Sequence, residues 1–227
     1  MDLKKYIIYE DSDILAINKP SGLLSIPDGF DVDKPNLRDL VTKFSEQIFV
    51  VHRLDKLTSG VVVFGKNAVA HRQLNILFTE RLINKLYFAF AHGTPIWSQK
   101  TVDFPLRVNG DRRHRTVFDE KQGKAAHTDI KVSERKNSFF SCEINPKTGY
   151  THQIRAHLSL LGHPVVGDDL YSRLQPINMQ KRPESEGRHF YLHALALEIN
   201  DFNGKNIKIQ AELPEYFFAF DPDSGNY

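Results

Sequence analysis

The chain has 227 residues, 41% of them hydrophobic and 11% aromatic, enough apolar surface for one large domain or two small ones to fold unaided. Thirty Lys and Arg against 28 Asp and Glu leave a formal net charge of +2, which excludes nucleic-acid binding by global charge and makes any polyanion site a local one. One cysteine excludes an intramolecular disulfide framework, no window reaches the ~18 apolar residues of a membrane span, and the acidic N-terminus lacks a signal peptide's apolar core, so the sequence reads as a soluble, cytoplasmic protein.

KYIIYE and ILAINK are short β-type runs split by Asp11-Ser12-Asp13, a hairpin pattern. PSGLLSIPDGFDVDKPN, rich in Pro, Gly and Asp, reads as a loop, and Asn36 is placed to cap a short helix over LRDLVTKFSE. IFVV resumes a strand. The polar stretch VHRLDKLTSG follows, and then GVVVFGK, whose consecutive apolar β-formers leave no polar face and mark a buried strand. In NAVAHRQLNILFTERL, Val69, Leu74, Leu77, Phe78 and Leu82 recur at helical spacing behind Asn67 as cap.

KLYFAFAHG returns to strand character. Arg107, Arg112, Arg113 and Arg115 then crowd into RVNGDRRHR around Asn109-Gly110-Asp111, which reads as a solvated, mobile insertion or a local phosphate contact. AAHTDIKVSE and NSFFSCEIN are two further strands, the second holding Cys142 as a packed residue. THQIRAHLSLLG is a helix stopped at Gly162, and FYLHALALEI and NIKIQAEL are the closing strands. Neighbouring strands with few helices between them indicate an α+β fold: a mixed, mostly antiparallel sheet with flanking helices, in a single domain over residues 1–227.

Among chemistry-bearing patterns, HExxH, CxxC, GxxxxGK[ST] and GxGxxG are absent, and the His189/His193 pair sits in a strand-like run without a third ligand, so neither a metal nor a nucleotide cofactor is indicated. That leaves Asp55. A carboxylate acts as nucleophile or general base only while ionised, a state that a nearby guanidinium favours. Arg53 is close in sequence. Arg155 is a second candidate: Ile154, Leu158 and Leu161 form the apolar stripe of its helix, and it projects from another face, either across a cleft or into solvent.

HRLDKLTSG resembles the HRLD-x-x-TSG signature of the RluA-type RNA pseudouridine synthases, and PKTGYTHQIRAHLSLLGHPVVGDDLY is similar to their later block, TGRxHQIRxH…GHP…GD…Y. INKPSGLLS, KLYFAFAHG and LHALALEI resemble further family segments, in the family's order, from about Ile17 to Leu197. One departure is Tyr150, where the family has the arginine of TGR.

The resemblance implies a pseudouridine synthase fold with a central catalytic cleft, and an isomerase that detaches uracil from C1′ of a uridine in RNA and rejoins it through C5. It implies that Asp55 is the catalytic residue, that Tyr87 packs against the target base, and that Arg155 pairs with the aspartate. Arg53 is implied to fill the space left by the flipped nucleotide. His52, Lys85 and the clustered Arg112, Arg113 and Arg115 are expected as further RNA contacts on their own charge and position. The reaction is redox-neutral, so no cofactor or metal is implied. The segment before INKPSG is too short for the S4 module of many relatives, which leaves recognition of tRNA or ribosomal RNA to the catalytic domain, expected to act as a monomer. Asp168 and Asp169 read as structural loop or capping residues. The alternative is a non-catalytic RNA-binding protein using the same cleft; the presence of both Asp55 and Tyr87 argues against it.

Overall fold

The computed structural model describes residues 2–29, 31, 33–45, 47–172 and 189–220. Phe30 and Val32 of the expected first loop, and Glu46 at the end of the expected first helix, lie outside them. The chain divides into two compact units, Met1–Leu86 with His193–Pro214, and Tyr87–Leu192 with Glu215–Tyr227.

In the first unit, a 3-10 turn at Leu3–Tyr6 leads into the expected hairpin of β1 (Ile7–Glu10) and β2 (Ile14–Lys19). The side chain of Asp11 makes its turn, accepting the N–H groups of Asp13 and Ile14 at 2.8 and 2.7 Å, a local bond for which aspartate is suited. β2 pairs antiparallel with β4 (Ser59–Gly65), which is buried along its whole length. The other edge of β4 is shared by two strands: β11 (Leu192–Phe202) lies parallel to its start, and β3 (Phe49–Val50) antiparallel to its end. β12 (Lys205–Gln210) pairs antiparallel with β11.

Helix α2 (Ala68–Thr79), capped by Asn67 Oδ1 accepting the Ala70 N–H at 2.8 Å, covers this sheet with Ala70, Leu74 and Leu77. Two residues of the expected stripe, Val69 and Leu82, are exposed instead. Arg81 has a φ of 60°, so the helix ends before Leu82 can continue its face. Helix α1 covers only Leu37–Val41, half the expected span, because Leu37 and Val41 are the residues with a core to enter.

The second unit, which β5 (Ile83–His92) enters at Tyr87, is built on the antiparallel order β5–β10–β9–β6, the last three being Phe139–Pro146, Thr128–Lys136 and the unforeseen Gln99–Val102. Its core joins Ala89, Phe140, Cys142 and Ile144 to Ile154 and Leu158 of α3 (Gln153–Leu160). Cys142 is a packed strand residue, its thiol pushed up by burial. A short helix, α4 (Glu215–Phe218), also unforeseen, adds Phe217 to an aromatic group around Phe90 and Tyr191. The RVNGDRRHR segment forms the turn of a hairpin between β7 (Leu106–Arg107) and β8 (Val117–Phe118). The mixed, mostly antiparallel pairing with few helices is the α+β class expected. Among the described residues no helix is long and apolar enough to cross a membrane.

The parallel pairing of His193 and Ala194 with Ser59 and Gly60 brings two backbones close together in the first unit. Gly60 has a φ of +111°, and a Cβ there would overlap the Ala194 carbonyl. Beside it the Ser59 hydroxyl and His193 Nδ1 meet at 2.8 Å, both side chains fully buried. We expect Gly60→Ala to cost roughly 2–4 kcal/mol, from positive-φ strain plus overpacking. Urea unfolding with an unchanged slope and a lowered midpoint would show it, and a midpoint equal to the parent's would contradict it.

Candidate active site

Asp55 lies half-buried in the irregular segment between β3 and β4, and that segment is held from below by the end of β2. Lys19 closes β2 on the same face as Leu15 and Ile17 and is completely buried. Its ammonium donates to the carbonyls of Pro20, Leu23 and Lys56 at 3.0, 2.7 and 3.1 Å, which uses its three N–H bonds. Burial pushes the Lys19 ammonium down to about 7, a fall opposed by the negative charge of Asp55. Lys56 O also accepts the Gly22 N–H at 2.9 Å, the Ser21 hydroxyl donates to Leu57 O at 2.6 Å, and Thr58 N–H turns back to Asp55 O at 3.1 Å. The loop that carries the carboxylate is therefore tied at every residue from Leu54 to Thr58, the first of them through Ser25.

Arg53, one of the expected RNA contacts, is exposed beside this tied segment. His52 is placed otherwise. Its Nε2 accepts the Val63 N–H at 2.9 Å and its ring stacks on Phe78 at 4.6 Å. Burial pushes the imidazole down to about 3, with the Lys85 charge adding to the fall, so the ring is neutral and committed inside the unit. Lys85 is half-buried and pushed down to about 8, by burial first and by Arg81 second.

In the second unit, Tyr87 stands in β5 opposite Ile144, partly buried against the core. Arg155 is no surface arginine. It is buried in α3, and its Nε and Nη2 donate to Asp168 Oδ2 and Oδ1 at 2.7 and 2.9 Å, a two-pronged pair with side-chain exposures of 7% and 0%. Its guanidinium lies 5.1 Å from the ring centre of Tyr171 and 5.3 Å from that of Phe190. Asp168 also accepts the N–H groups of Leu170 and Tyr171, the loop role expected of it. The Tyr171 hydroxyl, pushed up to about 12 by burial, accepts the Thr116 N–H at 2.8 Å and so links this group to the foot of the arginine-rich hairpin.

Helix α3 is fixed by polar contacts on its other faces. Gln153 Nε2 donates to Thr128 Oγ1 at 2.9 Å. Because Phe104 O can only accept from His157 Nε2, the remaining ring nitrogen Nδ1 accepts from the Thr128 hydroxyl at 2.9 Å.

The hairpin arginines fall into two sorts. Arg115 pairs with Asp111 at 2.6 Å and reaches Leu170 O, and Arg107 pairs with Asp119 at 2.7 Å. The Asp111 carboxyl is held below its usual range, chiefly by the Arg115 N–H. Arg112 and Arg113 are exposed at the turn. Arg115, expected among the RNA contacts, thus shapes the turn that displays its neighbours.

Sequence reasoning assigned no role to Lys19 or Tyr171, although both stand in segments that carried the family resemblance. The one local signal was a lysine on the apolar face of β2. Among the described residues no three His, Cys, Asp or Glu side chains gather in a way that could hold a metal ion.

Burial also sets the acid response. His52 and His193 are pushed down to about 3 and about 4, against an ordinary 6.5, so both are neutral in the fold and must take up protons on unfolding. Their contribution is complete above pH 6.5 and is lost as the pH falls from there towards 4, on the order of 1 kcal/mol per histidine per pH unit. Thermal melts should shift steeply downwards between pH 7 and pH 5, and His52→Gln, which can still accept from Val63, should flatten the fall. A pH-independent melting temperature over that range would contradict the assignment.

Comparison with known proteins places residues 13–160 in a family described as RNA pseudouridylate synthase. The chain is 36% identical over 223 residues to the "Ribosomal large subunit pseudouridine synthase C" of Rickettsia typhi, covering 95% of this chain and 70% of that protein. It is 35% identical to the "Dual-specificity RNA pseudouridine synthase RluA" of Salmonella typhi, covering 91% and 93% of the two chains. Among solved structures, "Human RNA Pseudouridylate Synthase Domain Containing 4" matches with a TM-score of 0.78 at 25% identity, covering 95% of this chain and 91% of the other.

Proposed function

The chain belongs to the RNA pseudouridylate synthase family and is an isomerase acting on RNA, and from that premise we propose that Asp55 is the carboxylate that drives the exchange of the glycosidic bond. The bond from C1′ to N1 of uracil breaks, one from C1′ to C5 forms, the C5 proton leaves, and N1 takes one up. What carries this reading is the setting of Asp55, an ionisable group on a loop tied at every neighbouring residue, beside the buried Lys19 ammonium. A carboxylate that must act on one atom of a bulky polymer gains from such fixity, since catalytic groups lose rate steeply when misplaced.

A uridine stacked in a stem or loop cannot meet a half-buried carboxylate until it is swung out, at a cost of a few kcal/mol. Tyr87 offers a ring face to the extruded base, worth ~1–3 kcal/mol in stacking, and Arg53 offers a planar cation to the gap left behind. Arg155, held flat by Asp168 and two rings, is kept as a catalytic residue on the family resemblance. Arg112 and Arg113 take phosphates, and Lys85 adds a cation near the first unit's surface. We leave His52 and Arg115 out of the contact set, because His52 Nε2 and Arg115 Nε are used within the protein. The substrate is a uridine of tRNA or ribosomal RNA, and the enzyme works as a monomer in the cytoplasm.

Asp55→Asn should fold and bind RNA yet form no pseudouridine, read by carbodiimide labelling and reverse-transcription stops. Full activity in that variant would overturn the assignment. Free uracil among the products would indicate a glycosidase instead. Mapping pseudouridines in total RNA with and without the gene assigns tRNA, ribosomal RNA or both. Arg112→Gln with Arg113→Gln should lower the salt slope of RNA binding by about 1.5, measured between roughly 50 and 200 mM salt. An unchanged slope would remove the hairpin turn from the interface.

A further inference from the structure

We propose that Ser25 is a positioning residue for the carboxylate of Asp55, an inference that rests on the reading of Asp55 as catalytic. Ser25 is 4% exposed and lies in the loop after β2. Its hydroxyl donates to Leu54 O at 2.8 Å and accepts the Leu54 N–H at 3.1 Å. One side-chain oxygen thus satisfies both backbone polar groups of a buried residue, as a neighbouring strand would.

Leu54 precedes Asp55, so the carbonyl held by Ser25 belongs to the peptide plane that enters the catalytic residue. The plane that leaves it is held by the turn bond from Thr58 N–H to Asp55 O at 3.1 Å. With both planes fixed, the direction of the Asp55 Cα–Cβ bond is set before substrate arrives. Ser25 can carry that load because its own segment is braced. The carbonyls of Leu24 and Ser25 accept the N–H groups of Leu37 and Arg38 at 2.7 and 3.2 Å, at the start of α1. The Lys19 ammonium grips the same segment through Leu23 O at 2.7 Å. Its burial withdraws the Ser25 hydroxyl from RNA, so its loss should act on turnover and hardly on substrate binding.

The test compares Ser25→Ala, Ser25→Cys and Ser25→Thr with Asp55→Asn, each assayed for pseudouridine formation well below its own melting temperature. Ser25→Ala should lose at least about tenfold in kcat with KM within about twofold, and Ser25→Thr, which keeps the hydroxyl, should recover most of the loss. Should Ser25→Ala fail to fold, Ser25→Cys, similar in shape but a weak donor, carries the same expectation. A kcat near the parent's in the alanine or cysteine variant, with Asp55→Asn inactive, overturns the role of Ser25 and leaves that of Asp55 standing. Full activity in Asp55→Asn overturns the reading on which both depend. A threonine variant as slow as the alanine variant also overturns the proposal, since the hydroxyl would then not be what matters.

Discussion

Lys19 exchanges a hydration shell for three carbonyl oxygens, and the first unit is arranged around that exchange. A buried ammonium is costly unless every N–H finds an acceptor, so the carbonyls of Pro20, Leu23 and Lys56 must converge on one point. Two loops distant in sequence, one after β2 and one before β4, are thereby held to the same centre. The ladder between β2 and β4 aligns them: Lys19 lies opposite Gly60 in register, which brings the end of one strand beside the approach to the other. Around this centre, Ser21, Gly22 and Ser25 add contacts that would each be weak alone.

The second unit solves a matching problem for another buried cation, with a carboxylate in place of carbonyls. A guanidinium withdrawn from water in α3 is balanced by the Asp168 carboxylate and flanked by the rings of Tyr171 and Phe190. Asp168 in turn spends its remaining acceptor capacity on two N–H groups of its own loop. Such pairs contribute little net stability but penalise every alternative arrangement, because breaking one leaves a buried charge unpartnered. Charged groups within both units are therefore held in fixed orientations by neighbours that are themselves fixed.

How much of this could be read from the residues divides along physical lines. Asn67, Gly162, the alternation of β-type runs and the unbroken apolar stretch of β4 are local signals, and each marks the element it should. Asp55 and Arg155 stand out through ordered motifs and not through periodicity. Arg155 looked like a candidate for solvent because apolar spacing identified only one face of α3. The other faces are buried by polar matches: Gln153 to Thr128, His157 to Phe104 O, and Ser159 to Tyr171 O. Hydrogen-bond complementarity between distant segments leaves no periodic trace. The same reason hid Ser25, whose partner is a backbone 29 residues away, and the hairpin that the paired Arg115 and Asp111 stabilise.

That hairpin carries a further implication, through its charge accounting. Of its four arginines, Arg107 and Arg115 are balanced by Asp119 and Asp111, so the field at the turn is that of Arg112 and Arg113. The turn is shaped before any polyanion reaches it, and only two flexible side chains remain to be ordered on contact. On the proposed reading of Arg112 and Arg113 as phosphate contacts, a modest, preshaped charge favours release as much as capture. An enzyme whose product has the same mass and charge as its substrate has no electrostatic means of expelling it, and a weak grip keeps such a catalyst from being occupied by RNA it has already modified.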